Sequence, residues 1–360
     1  MGLRELHLRD FRLFRALDFI PDPDAITVLI SPNGTGKSSV LEAVYCLATG
    51  GSFRTTSAAD MIRTEASLAE VHGVIHQSDR RVAVDLTVSR TSRGALKRMR
   101  VNGQRPTSRA ELADALPLTI FTPEGVDVVR HGPEPRREFL THLLTDLHPT
   151  TGPLVERVAR LLTQRNALLR RAQGDGMREV DLGELDVWDH DLATSGEELA
   201  LAREGVVTSL APDVTRFYTA LAQDDQVVDL VYERSWTGSL HEALRRSRRD
   251  DLARGHTTRG PHRDDLVVRL AGRDARRQAS QGEQRSLALA LRLAGHDLVR
   301  KGRGVEPLLL LDDVFSELDP GRADRLLALL PGGQTLVTTA SPLPERMTPA
   351  AVVDVSTMGS

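Results

Sequence analysis

One stretch of the chain, LISPNGTGKSSVLEAV at residues 29–44, constrains the fold more than any other. The apolar run AITVLI at residues 25–30 leads into it, and apolar residues at helical spacing follow it: Val40, Leu41, Val44 and Leu47. A strand, a glycine-rich loop and a helix beginning at Gly-Lys-Ser form the context in which backbone N–H groups cradle phosphates. The sequence therefore predicts an α/β fold that carries a nucleotide-binding loop.

The loop departs from the pattern G-x-x-x-x-G-K-[ST] at its first position, where Ser31 replaces glycine. Ser31 is small, and Gly34 and Gly36 remain where positive φ is needed. Lys37 is one of only three lysines among 47 basic residues, and the broad guanidinium of arginine would not fit such a tight loop easily. We expect the loop to bind ATP through Asn33, Gly34, Thr35, Gly36, Lys37, Ser38 and Ser39.

A second motif, LLLLDD, supplies carboxylates. Leu308 to Leu311 form a continuous apolar run of the kind found in strands that are buried on both faces. Asp312 and Asp313 follow at its carboxyl end, where α/β sheets bind ligands. Adjacent carboxylates beside such a run need a cation or base, or else turns and arginines that cap them. We expect Asp312 and Ser38 to bind Mg²⁺ and Asp313 to polarise the attacking water, with Lys37 completing the catalytic set.

A third motif, RQASQGEQRSLALALRLA, places Ser280 and Gly282 at the start of a long amphipathic helix. Backbone N–H groups and a hydroxyl at the positive end of a helix dipole form a second anion site. An ordinary serine N-cap would give the same local pattern, and that alternative stays open here.

Strand-like segments occur between residues 69 and 121, and they indicate an antiparallel layer beside the loop-bearing sheet. The pattern then becomes helical, with one interruption at residues 172–183. We predict one discontinuous head formed by residues 1–128 and 255–360, and a mainly helical insertion at residues 129–254.

Composition excludes several classes of protein. Hydrophobic residues make up 40% of the chain, charged residues 27%, and the net charge is −3, as in ordinary globular proteins. Cys46 is the only cysteine, the first residues carry charges that are unusual in a signal peptide, and no apolar run is long enough to span a bilayer. We expect a cytoplasmic protein without membrane association.

Several segments, together with these motifs, resemble those of the RecF family of bacterial DNA replication and repair proteins, in the SMC-like branch of ABC-type ATPases. In chain order they are DFRLF, TPEGVDVVRHGPEPRREFL, QRNALLR, LDVWDHDLA, RGPHRDDL and QGEQRSLALALRLA. The resemblance extends over essentially the whole chain. It implies an ABC-type ATPase head with a P-loop sheet, an antiparallel β layer and an inserted α-helical subdomain.

The resemblance also implies a mechanism. Two heads would form a homodimer around two ATP molecules, with Ser280, Gly282 and Glu283 of one head reaching the γ-phosphate held by the other. Arg12 would approach the phosphates and Asp319 would lie at the dimer seam, although a surface ion pair explains either residue as well. Hydrolysis would be slow, stimulated by DNA, and would release the dimer.

DNA is the implied macromolecular partner, at gaps or single/double-strand junctions, where the protein would help RecO and RecR load RecA. Arginine-rich segments are candidates for phosphate contacts or for solvated faces: RTSRGALKRMR, LRRSRRD and RDARRQ. In RGPHRDDL, three residues fit the seam, a DNA contact or a turn held by an Arg–Asp network: Arg259, His262 and Arg263.

Three other functions remain alternatives. One is the head of an SMC-like chromosome-organising ATPase, but the segment between Lys37 and Asp312 is too short for a long coiled-coil arm. Another is the energy-coupling subunit of an ABC transporter, in which the two motifs usually lie closer together. The third is a scaffold with an inactive ATP site, which the presence of Ser31 leaves open.

Overall fold

The computed structural model describes residues 2–77, 80–174 and 182–358. Its strands are β1 (Gly2–Phe11), β2 (Phe14–Phe19), β3 (Ile26–Ile30), β4 (Leu68–Gln77), β5 (Arg80–Thr91), β6 (Gly94–Val101), β7 (Leu118–Phe121), β8 (Val228–Glu233), β9 (Asp265–Leu270), β10 (Arg273–Asp274), β11 (Leu308–Asp312), β12 (Thr335–Thr339) and β13 (Ala351–Asp354). Its α-helices are α1 (Lys37–Thr49), α2 (Arg109–Ala115), α3 (Asp127–Arg130), α4 (Pro133–Leu147), α5 (Gly152–Gly174), α6 (Leu182–Ala222), α7 (Leu240–Arg254), α8 (Ala275–Gln278), α9 (Gln281–Arg303) and α10 (Pro320–Leu329).

A five-stranded parallel sheet has the order β13-β3-β12-β11-β7. Strand β12 lies between β3 and β11, with Thr339 opposite Ile30 on one side and Thr338 opposite Asp312 on the other. Because the strands are parallel, the loop after β3 and the carboxylates after β11 lie at the same edge of the sheet.

An antiparallel sheet of order β2-β1-β4-β5-β6 forms the second layer. Its apolar residues alternate with polar ones, so that one face is buried and the other is polar. Helix α1 contributes Leu41 and Leu47, both fully buried, to a core that includes Leu6 of β1 and Leu310 of β11. The helix that follows the phosphate loop is therefore fixed by apolar packing that involves both sheets.

The sequence pattern was wrong about one strand. Residues LTIF of β7 were grouped with the antiparallel layer, but β7 pairs with β11 in parallel, with Ile120 opposite Leu310. The other strand-like segments of that region do form antiparallel strands. The four residues of β7 are mostly buried, which is typical of a strand covered on both faces, and their short apolar run gave no signal for strand direction.

The chain forms two compact units. The first contains Met1–Val126, Arg216–Asp224 and Arg285–Ser360, and the second contains Asp127–Thr215 and Asp225–Gln284. Residues 255–284 thus group with the second unit, whereas the sequence assigned them to the head. The functional division into two lobes stays a prediction, and most of the interruption expected at residues 172–183 lies outside the described residues.

The second unit is mainly helical, with the small antiparallel sheet β10-β9-β8. A buried ion-pair network joins its helices, because Arg165 of α5 donates to Asp189 of α6 at 2.7 Å and to Asp251 of α7 at 2.8 Å. All three side chains are fully buried. No helix of the described residues has the length and apolar character needed to cross a membrane.

Candidate nucleotide site

The glycines of the loop adopt the backbone conformations that the sequence predicted. Gly34 has φ 86° and Gly36 has φ 104°, both in the region that favours glycine. A Cβ atom at Gly36 would lie 2.6 Å from Cζ of Phe14, so no larger residue fits there without movement of the aromatic ring. Ser31 has no positive φ and is 5% exposed, so the missing first glycine imposes no backbone strain.

Lys37 is the first residue of α1 and its side chain turns back into the loop. Its Nζ donates hydrogen bonds to the carbonyl oxygens of Ser31 at 2.5 Å and Pro32 at 2.9 Å. Burial lowers the pKa of Lys37, while the charges of Asp313 and Asp312 oppose that shift. The lysine and both carboxylates therefore lie close enough to interact electrostatically, as the sequence predicted.

Asp312 ends β11 and is 6% exposed. Its Oδ1 accepts a hydrogen bond from Oγ1 of Thr338 at 2.7 Å. Burial raises the pKa of Asp312, and hydrogen bonds from Thr338 and Ser38 counter the rise. A buried carboxylate beside the Ser38 hydroxyl is an oxygen donor pair of the kind that Mg²⁺ takes from proteins when phosphates complete its shell. The residues present thus fit that ion.

Asp313 follows directly in the left-handed conformation, with φ 50°. Its N–H donates to the carbonyl oxygen of Thr338 at 3.1 Å and to the hydroxyl at 3.0 Å. Within the described part of the chain, its buried Oδ1 has no hydrogen-bond partner. A strained backbone that holds an unsatisfied carboxylate oxygen at a strand end is typical of a group that acts on a ligand or a water molecule.

Arg12 is bound to a carboxylate behind the loop. Its Nε and Nη2 donate to Oε2 and Oε1 of Glu42, at 2.8 and 2.5 Å, and its Nη1 donates to the carbonyl oxygen of Asp60. Glu42 lies on α1 with a fully buried side chain. An approach of Arg12 to the phosphates stays a prediction, since these bonds already occupy three of the five N–H donors of its guanidinium.

Arg54 is a site residue that sequence reasoning missed. Its Nη1 donates to Oγ of Ser39 at 3.2 Å and to Oε2 of Glu42 at 3.3 Å. Its charge also partly opposes the rise that burial causes in the pKa of Asp312. The residue stands in the irregular segment GGSFRTT, where neither periodicity nor motif spacing singles out an arginine.

Ser280, Gly282 and Glu283 lie in the second unit, at the start of α9. Ser280 N donates to Oε2 of Glu283 at 2.6 Å and Glu283 N donates to Oγ of Ser280 at 3.3 Å. This reciprocal pair is a capping box, so the alternative of a serine N-cap describes the local structure correctly. Its role towards a phosphate stays a prediction.

Asp319 has an equally local role. It caps α10 by accepting a hydrogen bond from Arg322 N at 2.9 Å, and this bond lowers the pKa of Asp319.

In RGPHRDDL, the turn is held in part by Asp264, which accepts hydrogen bonds from the backbone N–H of Ser235 and the hydroxyl of Tyr232. The motif does form a turn, but these two bonds involve no arginine, and its Arg–Asp pair is that of Asp265 with Arg136 of α4, at 2.7 Å.

Taken together, a phosphate loop and strand-end carboxylates at one edge of a parallel sheet, an antiparallel layer and a helical insertion define an ABC-type ATPase head. The chain belongs to the RecF family. Residues 2–347 match the model described as the RecF/RecN/SMC N terminal domain. The DNA replication and repair protein RecF of Streptomyces avermitilis is 37% identical over 354 residues, which cover 94% of each chain.

Solved structures agree with this assignment. The recombination mediator protein RecF-ATP in the RecFOR pathway superposes with a TM-score of 0.86 and 25% identity, covering 99% of this chain and 96% of that one. An Smc head bound to the C-winged helix domain of ScpA has a TM-score of 0.54 and 17% identity, covering 95% and 90%. The second likeness shows the fold alone.

Proposed function

We propose that this protein is an ATP-dependent DNA-binding clamp of recombinational repair and replication restart, acting in the cytoplasm. One observation carries the proposal: Lys37, Ser38, Asp312 and Asp313 converge at one sheet edge, with the lysine buried among loop carbonyls and the carboxylates within electrostatic range. A RecF solved with ATP is similar along almost the whole chain, which supports ATP as the ligand.

In this proposal the loop residues Asn33 to Ser39 bind the ATP phosphates. Ser38 and Asp312 would hold Mg²⁺, which would neutralise charge on the phosphate oxygens. Asp313 accepts a proton from, or orients, the attacking water through its unsatisfied Oδ1. Arg54 stabilises negative charge near Ser39, where its guanidinium already donates.

The finer steps follow from the family. Binding of ATP promotes a homodimer in which Ser280, Gly282 and Glu283 of one protomer complete the partner's site, and slow, DNA-stimulated hydrolysis releases it. The dimer acts at gaps or single/double-strand junctions and helps RecO and RecR load RecA. A head formed by residues 1–128 and 255–360, with a helical lobe at 129–254, is part of the same proposal.

Light scattering with and without ATP, on gapped DNA, tests the clamp. Wild type should become a dimer with ATP, and Lys37→Met should stay monomeric because it binds ATP much more weakly. Ser280→Arg should still bind ATP, because its own phosphate loop is intact. It should nevertheless stay monomeric, because it can no longer complete the partner's site. Ser209→Arg places the same bulk at another exposed serine of the second unit and should dimerise like wild type. A wild type that stays monomeric throughout would contradict the proposal.

A further inference from the structure

The segment of residues 245–263 exposes much more positive charge than negative charge. Its carboxylates are Asp250 and Asp251, of which Asp251 is fully buried. Six of its seven arginines are exposed, and we refer to them as the arginine surface: Arg245, Arg246, Arg249, Arg254, Arg259 and Arg263. An ordinary solvated helix face mixes both signs of charge, whereas this segment exposes six arginines and a single carboxylate, that of Asp250.

The buried groups anchor the segment. Asp251 accepts hydrogen bonds from the backbone N–H of Thr258 at 2.9 Å and from its hydroxyl at 2.6 Å, in addition to its ion pair with Arg165. Arg248, the remaining arginine, is paired with Asp186 and with Asp189. The one arginine and the one aspartate that face inward are therefore structural.

Further bonds fix the loop after α7. Thr257 N donates to Oδ1 of Asn166 at 2.8 Å, and Gly260 N donates to Oγ of Ser235 at 3.0 Å. Arg203 donates to the carbonyl oxygen of Pro261 at 2.9 Å. Because three separate elements hold the loop backbone, Arg259 and Arg263 project from a rigid support.

Three of the six exposed arginines are oriented by hydrogen bonds that do not neutralise their charge. Arg259 Nη1 donates to the carbonyl oxygen of Ser235 at 2.9 Å, and Arg246 and Arg263 make longer bonds, of 3.4 Å each, to other carbonyl oxygens. Across residues 2–77, 80–174 and 182–358, none of the six forms an ion pair with a carboxylate. A hydrogen bond to a carbonyl oxygen fixes the direction of a guanidinium group and leaves its positive charge available to a polyanion.

We infer that the arginine surface binds the phosphate backbone of double-stranded DNA. The inference rests on the proposed function, because that function supplies DNA as the partner. Along α7, Arg245 and Arg249 lie one turn apart on the same face, about 6 Å at 1.5 Å per residue, which spans roughly two phosphates of one strand. The contacts carry charge and no base-reading geometry, so binding is independent of sequence.

A duplex fits this surface better than a single strand. Proteins that hold single strands stack bases on exposed aromatic side chains. The large hydrophobic side chains that are exposed in the described residues are all aliphatic, and Trp236 is only 6% exposed. The surface therefore offers charge to a phosphate backbone and no platform for unpaired bases.

The test measures the affinity of the full chain with ATP for a short duplex at several salt concentrations. Two double variants each remove two of the arginines: Arg245→Ala/Arg249→Ala and Arg259→Ala/Arg263→Ala. Each should bind the duplex about tenfold more weakly. The negative slope of log K against log salt should become shallower by roughly 2, because each phosphate contact contributes about 0.9. Arg157→Ala/Arg160→Ala removes two exposed arginines of α5 in the same unit and should match wild type.

ATP binding and thermal unfolding are measured for every variant, and both should match wild type because the substituted side chains are exposed and lie outside the nucleotide site. If wild type binds no DNA with ATP, both the surface and the DNA part of the proposed function are wrong. If wild type binds and both double variants bind equally well with an unchanged slope, the surface is wrong and the proposed function stands. Tighter binding of the single strand than of the duplex would overturn the duplex assignment.

Discussion

Arg12 and Glu42 form a bidentate ion pair behind the phosphate loop, with Nε and Nη2 of the arginine 2.8 and 2.5 Å from the two carboxylate oxygens. The Glu42 side chain is fully buried and that of Arg12 is 17% exposed. Ser52 also donates to Glu42 at 2.5 Å. The pair joins the turn between β1 and β2 to the helix that begins at Lys37, so the position of the loop depends on it.

Arg12→Ala should lower the free energy of unfolding by about 3 kcal/mol, because it leaves a buried carboxylate without its main partner. The double variant Arg12→Ala/Glu42→Ala should lose less than the sum of the two single variants, since it removes both charges. Urea denaturation of the four proteins measures the coupling. Additive losses would show that the pair contributes no interaction of its own.

Lys37→Met should separate nucleotide binding from stability. The lysine is 6% exposed and burial lowers its pKa, so its charge costs free energy in the unliganded protein. We expect the affinity for ATP to fall by more than tenfold while the thermal midpoint stays the same or rises. Calorimetric titration and thermal unfolding test the two parts. A large drop in the midpoint would mean that the bonds to Ser31 and Pro32 are mainly structural.

Ser31→Gly should leave the affinity for ATP within about threefold of wild type, because Ser31 already has an unstrained backbone. Gly36→Ala should abolish ATP binding, since it combines φ 104° with a 2.6 Å approach to Phe14. Titration with a non-hydrolysable analogue compares the two variants. A tenfold gain in affinity for Ser31→Gly would show that the serine impairs the site.

The sequence was sufficient to predict the elements that bear the nucleotide site. The strand before Ser31, the helix from Lys37 and the apolar strand before Asp312 are each encoded within a dozen residues, and hydrophobic pattern and loop chemistry agree there. Gly34 and Gly36 adopt the positive φ that was expected of them.

What the sequence could not supply were relationships between distant residues. The direction of β7 depends on its pairing with β11, which lies far along the chain. Arg54 was missed because its contacts with Ser39 and Glu42 arise from the return of an irregular loop onto α1. The sorting of arginines on α7 likewise depends on Arg165 and Asp189, which belong to other helices.

Two histidines should make the fold sensitive to acid, His296 in the core and His262 in a partly buried position. Burial lowers the pKa of His296 from 6.5 to about 4, and burial does the same for His262. Between pH 6.5 and about pH 4, these histidines take up protons in the unfolded chain but not in the folded chain. The contribution of each histidine to the free energy of unfolding is therefore fully present above pH 6.5. It is lost as the pH falls towards 4, at about 1.4 kcal/mol per pH unit for each histidine.

His296→Gln should isolate one of the two contributions. The variant should be less stable than wild type near neutral pH, because the imidazole bonds to Oγ1 of Thr119 in a buried position. At about pH 5 the difference in free energy of unfolding between wild type and the variant should shrink by about 2 kcal/mol. Only wild type has this buried imidazole, which the fold must keep neutral at that pH. Urea denaturation at the two pH values measures the difference. A difference that does not change with pH would show that His296 titrates normally in the folded chain.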